Sequence, residues 1–220
     1  MNFVVTAGPT YEPLDEVRRL INFSTGRLGS ELGNYLVSRG HQVTLLLGQQ
    51  ATWQGECLAQ DRIAFGTSAD LHARLQGLAG KAIDAVFHAA AVSDFTFGKI
   101  WRRSATGELE ETQAGKISTR IGSLLVELAP TQKIISQLRD WFPRACLVGW
   151  KYEVDGGRSD VIAEAEKQMA ACRTNACVAN GRAYGPGFGF VTGPGQCRHL
   201  EDSANLFAAL EEFARKGVHG

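Results

Sequence analysis

A chain of 220 residues with 44% hydrophobic content can bury one full-sized core. Its 23 Lys and Arg balance its 23 Asp and Glu, so no net charge recruits nucleic acid or an anionic membrane surface. No apolar run approaches the ~18 residues of a membrane span, no signal-peptide pattern is visible, and five cysteines without a CxxC pair (Cys57, Cys146, Cys172, Cys177, Cys197) read as reduced thiols of a cytoplasmic protein.

In chain order, the apolar run around Val4-Val5-Thr6-Ala7 predicts a strand at about 3–6 that enters the turn Gly8-Pro9-Thr10. A helix is predicted over 27–38, with Leu28, Leu32, Tyr35 and Leu36 on one face and Gly40 stopping it. A strand at about 42–47, a helix at about 69–78 and a strand at 85–88 follow, the last running into Ala89-Ala90-Ala91. This order implies a Rossmann-like α/β fold, a mostly parallel sheet with helices on both faces. From about 95 to 128 the helical period vanishes and polar residues dominate, so this stretch reads as an antiparallel β arm or flap inserted between sheet strands. The βα pattern resumes with a helix at 131–140, a strand at 145–149, a helix at 159–172 and a strand at 176–179. A Gly-rich hairpin at 185–195 and an amphipathic helix at 204–216 complete a single domain over 1–220.

Open α/β sheets bind ligands outside the carboxyl ends of their strands. The glycines after the first strand lack dinucleotide-fingerprint spacing, and the second strand ends in Leu47-Gly48-Gln49-Gln50 with no acid to hold a ribose. Neither nicotinamide nor flavin is therefore expected. Three loops are candidates. In the first, Gly8, Ser24, Gly26 and Gly29 suit phosphates at a helix N-terminus, although a plain capped βα turn explains Ser24 equally well. In the second, Ala90-Ala91-Val92-Ser93-Asp94, small residues admit a ligand to the backbone or merely pack tightly. Asp94 is harder to explain by packing, because an acid there can hold a hydroxyl, an amide or magnesium. The third is Gly149-Trp150-Lys151, whose Trp150 stacks on a base or belongs to the core. Lys116 alone reads as a solvated lysine, and His88 as a strand histidine. His41, His72, His199 and His219 form no metal-ligand or triad spacing, so metal ligands stay unassigned.

The segments TAGPT, EPLDEVR (12–18), INFSTGRLG, AAVSD, GKIS and VGWK occur in order over about 3–181. Together they resemble the phosphopantothenate–cysteine ligases of coenzyme A biosynthesis, in the stand-alone form rather than the form fused behind a decarboxylase. The resemblance implies a two-step ligation. The carboxylate of 4′-phosphopantothenate attacks the α-phosphate of CTP, or less typically ATP, and releases pyrophosphate. The amine of L-cysteine then displaces the nucleoside monophosphate. It also implies Mg2+ with the triphosphate, a homodimer, and a separate phosphopantothenoylcysteine decarboxylase acting next.

By the same resemblance, Asn22 and Lys116 are catalytic, and Arg18, Asn22, Ala90, Ala91 and Asp94 hold the acid substrate, Arg18 from across the dimer. Gly8, Ser24, Gly26, Gly29, Asp94, Lys116, Trp150, Lys167 and Asn180 hold the nucleotide. Carboxylate activation needs cations and oriented donors rather than a nucleophilic side chain, which suits this set. The chain departs from the family pattern where Ser118 replaces a second lysine and where Pro130-Thr131-Gln132 and Ala179-Asn180-Gly181 replace Lys-Thr-Pro and Ala-Asn-Asp. An NAD(P)-binding reductase-like protein of the same gross fold and a non-catalytic nucleotide-binding relative remain as alternatives. The absence of an acid after the second strand and of a Tyr-x-x-x-Lys pair weighs against the former.

Overall fold

The structure, a computed structural model, describes residues 1–104, 106–113, 115–118 and 122–218. His219 and Ala114 lie outside the described residues. In chain order the elements are β1 Asn2–Ala7, β2 Tyr11–Pro13, β3 Arg19–Ile21, α1 Arg27–Ser38, β4 Gln42–Gly48, β5 Asp61–Phe65, α2 Ser68–Gln76 and β6 Ala85–His88. Then come β7 Phe95–Arg103, β8 Leu109–Glu111, β9 Leu124–Pro130, α3 Ile134–Trp141, β10 Cys146–Tyr152, α4 Arg158–Cys172, β11 Ala176–Asn180, β12 Phe188–Gly193, β13 Gln196–Leu200 and α5 Ser203–Val218.

The main sheet has the order β13-β12-β11-β10-β6-β1-β4-β5, parallel from β11 to β5, with the β12–β13 hairpin antiparallel at one edge. Counting only the parallel strands, this is the doubly wound 3-2-1-4-5-6 order. β1 is at its centre and is buried on both faces. Phe3, Val5 and Ala7 pack with Leu32 and Leu36 of α1 and Leu206 and Leu210 of α5. Val4 packs with Leu71 and Leu75 of α2 and Ile134 and Leu138 of α3. The period-2 alternation of a strand thus feeds two helical layers.

Three features differ from the sequence expectation. β5 was not expected: as an edge strand it reads Asp-Arg-Ile-Ala-Phe with only Phe65 buried, so it lacks the apolar run of the central strands. The short antiparallel pair β2–β3 falls in a stretch where the sequence predicts no strand; it is held by long-range bonds, Tyr11 N donating to Gly66 O at 3.1 Å and Ser68 N and Oγ donating to the Glu12 carboxylate. Gly149-Trp150-Lys151 is part of β10, not a loop, because it pairs with Cys177-Val178-Ala179 of β11. The inserted arm is a three-stranded antiparallel sheet, β8-β7-β9.

α5 is tied to α1 by a buried carboxylate. Glu211, 5% exposed, accepts hydrogen bonds from Tyr35 Oη at 2.9 Å, His41 Nε2 at 3.0 Å, Arg39 Nε at 3.2 Å and Arg215 Nη2 at 2.7 Å. Burial opposes its ionisation, but the bonds from His41, Tyr35 and Arg215 outweigh that and lower its pKa to about 2. A depressed carboxyl pKa stabilises the fold above the unfolded value and loses that effect as pH falls toward the folded one. Between pH 4.5 and about 2 the wild type is therefore expected to lose more stability than Glu211→Gln. Urea midpoints of both proteins across this range check it. Parallel pH profiles would show that the carboxylate is not the linked group.

Candidate active site

A cleft of about 700 Å³ opens at the carboxyl ends of β1 and β6, where the strand order reverses. Its floor is two loops zipped together. Thr10 N donates to Ala91 O at 3.1 Å, Ala91 N to Gly8 O at 3.0 Å, and Ser93 N to Thr10 Oγ1 at 2.8 Å. Gly8 turns the chain at φ +82°, a conformation that suits glycine. His88 lies just before this floor, buried, with Nδ1 2.9 Å from Thr6 Oγ1; burial lowers its pKa to about 4. It is a satisfied strand histidine, and it does not line the cleft.

One wall is the start of α1. Gly26, at φ +77°, is the N-cap and has no side chain to cap the helix; Thr25 Oγ1 accepts from Arg27 N at 3.2 Å, which leaves the amides of Leu28 and Gly29 without a side-chain cap among the described residues. First-turn amides with no side-chain cap form an anion site. Ser24, Gly26 and Gly29 line the cleft here. Asn22, beyond the end of β3, reaches across the floor, its Nδ2 donating to Val92 O at 3.1 Å and Ala91 O at 3.5 Å. Asp94 is the one carboxylate among the cleft-lining residues.

The opposite wall comes from β10, β11 and α4, through Trp150, Lys151, Tyr152, Asn180 and Gln168. Trp150 Nε1 and Asn180 Oδ1 are buried and have no hydrogen-bond partner among the described residues. One is a donor and the other an acceptor, so a bound group with both functions would satisfy two costly orphans. Gln168 Nε2 donates to Trp150 O at 3.3 Å and fixes that wall.

Of the residues read from the sequence, Gly8, Asn22, Ser24, Gly26, Gly29, Ala90, Ala91, Asp94, Trp150 and Asn180 all line this one cleft. Arg18, Lys116 and Lys167 do not. Lys167 points outward to Glu164, 2.6 Å away, and its neighbour Gln168 takes the inward place on α4. Gln168 lies outside every sequence motif; Lys151 and the exposed Phe23 fall within VGWK and INFSTGRLG, segments from which neither residue is given a role. The two cations that do line the cleft are already paired, Arg27 with Glu31 at 2.7 Å and Lys151 with Glu153 at 2.8 Å. Burial opposes the Lys151 charge, but Glu153 outweighs it and raises the pKa above its ordinary value.

For magnesium the donor set is sparse. Among the described residues no group of three or more His, Cys, Asp or Glu could hold a metal ion. Magnesium commonly takes one or two carboxylates and completes its shell with phosphate and water. Asp94, lining the same cleft as the start of α1, fits that mode. Among the described residues no helix is long and apolar enough to cross a membrane.

A family model described as the DNA/pantothenate metabolism flavoprotein C-terminal domain matches residues 1–204. The coenzyme A biosynthesis bifunctional protein CoaBC of Thermococcus kodakarensis is 30% identical over 178 residues, 80% of this chain and 40% of that protein. CoaBC of Bacillus subtilis is 32% identical over 190 residues, 86% of this chain and 42% of that protein. The chain thus spans less than half the length of these relatives. A DNA/pantothenate metabolism flavoprotein from Streptococcus pneumoniae shares the fold, with a TM-score of 0.84, 23% identity and coverage of 98% of this chain and 99% of that one.

Proposed function

Because the chain belongs to the family of DNA/pantothenate metabolism flavoprotein C-terminal domains, we propose that it joins 4′-phosphopantothenate to L-cysteine through an acyl-nucleotide. The observation that carries this reading is the convergence of an uncapped helix start, Asn22 and Asp94 on one cleft at the switch point of the sheet. A triphosphate lies along the start of α1, its base toward Trp150 and Asn180, whose orphaned atoms suit a heterocycle edge or a ribose. The acid substrate lies over Ala90 and Ala91, where nothing larger than a methyl group blocks the backbone. Its carboxylate attacks the α-phosphorus in line, and pyrophosphate leaves. Asn22, neutral and at the junction of both substrates, stabilises the negative charge that develops on the anhydride. The cysteine amine then attacks the acyl carbon, and the nucleoside monophosphate leaves.

Magnesium, held by Asp94 and the phosphates, would neutralise charge on the triphosphate. Positive charge from the protein comes from Arg18 and Lys116 by the family resemblance; Arg18 is itself paired with Asp15, as the two cleft-lining cations are with Glu31 and Glu153. Neither Arg18 nor Lys116 lines the cleft of its own chain, which supports a homodimer with shared sites. Sedimentation of a fully active monomer at micromolar concentration would exclude that arrangement. The five free thiols support a cytoplasmic location. A decarboxylase consumes the product next.

Pyrophosphate release on incubation with phosphopantothenate, cysteine, magnesium and each triphosphate tests the function. CTP is the assigned donor, on the resemblance of the opening motifs to bacterial members. Lys116→Gln should slow acyl-nucleotide formation with CTP and ATP alike, because the lysine meets phosphate and not base. A higher kcat/KM with ATP in wild type would overturn the donor. A large change in the CTP-to-ATP ratio in the variant would overturn the role of Lys116.

A further inference from the structure

The turn between β2 and β3 is organised by one carboxylate. Asp15 Oδ1 accepts from Val17 N at 2.9 Å and Arg18 N at 2.7 Å, an Asx-type turn. Its Oδ2 accepts from Arg18 Nε at 3.1 Å, Arg18 Nη2 at 2.5 Å and Ile117 N at 3.1 Å. The Asp15 side chain is fully buried, while that of Arg18 is 38% exposed. Arg18 Nη2 also donates to Ile117 O at 2.6 Å, and Glu16 N donates to Gly115 O at 2.9 Å. Both neighbours of Lys116 are thereby bonded to the turn, and Ile117 is buried beneath it. The Arg18 guanidinium beside Asp15 holds its carboxyl well below the usual carboxylate range.

We propose that Asp15 is a positioning residue. It locks Arg18 and the arm segment carrying Lys116 into one unit, so that two cations 98 positions apart in the sequence are presented together, Arg18 to the phosphate of the acid substrate and Lys116 to the triphosphate. A guanidinium that has one edge fixed by a carboxylate presents its other edge in a set direction. Arg18 commits Nε and Nη2 to Asp15 and Ile117, which leaves the Nη1 side for phosphate. A bare surface arginine would have to lose its rotamer freedom on binding; this one has lost it on folding. The phosphate part of the inference rests on the ligase reading above; the lock itself does not.

Asp15→Asn is the informative variant. Its amide oxygen can still accept from Val17 N and Arg18 N, so the turn persists, while its NH2 faces Arg18 and Ile117 without accepting from either. Trypsin cleavage at Lys116–Ile117, scored by mass spectrometry against the cut after Arg103 and without substrates, should be faster by about tenfold or more. In turnover assays the KM for phosphopantothenate should rise about tenfold to a hundredfold, with a smaller change in the KM for cysteine. A loss that is merely structural would lower the active fraction and leave both KM values alone. Asp15→Ala, which removes all five bonds, should exceed Asp15→Asn in both readouts. Unchanged cleavage in both variants would overturn the lock. Faster cleavage with an unchanged KM for phosphopantothenate would overturn the positioning role. Failure of the wild type to release pyrophosphate with any triphosphate would overturn the ligase reading instead, and the cleavage result would still decide the lock.

Discussion

Asn22→Asp is expected to lower turnover by at least about 100-fold, a loss of ~3 kcal/mol of transition-state stabilisation by analogy with removal of an oxyanion donor. The substitution changes one NH2 group into an oxygen and adds a negative charge. In the structure that NH2 group braces the floor of the cleft, donating to Val92 O at 3.1 Å and Ala91 O at 3.5 Å. A carboxylate in its place faces two carbonyl oxygens and, when substrates are bound, a developing anion. Loss of the brace alone should cost about 1 kcal/mol of stability. Asn22→Ala separates the two effects, since it removes the donor without adding charge. It should lose less stability than Asn22→Asp, which also sets a carboxylate against two carbonyl oxygens, and retain more turnover. Single-turnover rates of acyl-nucleotide formation, read beside thermal midpoints, make the comparison. Turnover of Asn22→Asp within a few-fold of wild type would remove Asn22 from the reacting centre.

Gly29→Ala should damage both the fold and the cleft, while Gly33→Ala on the same helix should not. A Cβ at Gly29 would lie 2.6 Å from Ala7 Cβ, 3.1 Å from Thr6 O and 3.2 Å from Ala7 Cα. None of these is the end of a flexible side chain, so α1 must lift off β1. Overpacking of this kind costs about 1–3 kcal/mol, or roughly 2–4 °C of midpoint per kcal/mol at this chain length. The same shift moves the uncapped end of α1, so nucleotide affinity should fall as well. At Gly33 the nearest atoms are Val43 Cγ1 at 3.8 Å and Leu45 Cδ1 at 4.0 Å, and a methyl group fits. There the gain in helix propensity is worth about 1 kcal/mol in favour of alanine. Equal midpoints for the two variants would show that α1 is not pressed against β1 at Gly29. Glycine at 29 is thus needed for close helix–strand approach, whatever contact its amide makes with nucleotide.

The helices and central strands were legible in the sequence because each is set by a local pattern. Leu28, Leu32 and Leu36 recur at helical spacing before Gly40, and α1 spans Arg27–Ser38 as that spacing predicts. The apolar runs of β1, β4 and β6 mark strands buried on both faces, and strand ends mark where ligands bind. Ten of the thirteen expected site residues accordingly line one cleft. Tertiary structure decided the rest. The edge strand β5 and the pair β2–β3 are polar or too short to carry a period; pairing with β4 holds β5, and bonds to Gly66 and Ser68 hold β2. On α4 a single residue of helical phase, about 100° of rotation, turns Lys167 to solvent and Gln168 to the cleft. Arg18 and the backbone next to Lys116 are joined through Asp15 and Ile117, by bonds that span 99 and 102 positions. Local periodicity encodes elements because backbone geometry repeats every few residues. A bond that closes a loop of a hundred residues leaves no such repeat, so the folded chain alone joins the segment around Lys116 to the turn that holds Arg18.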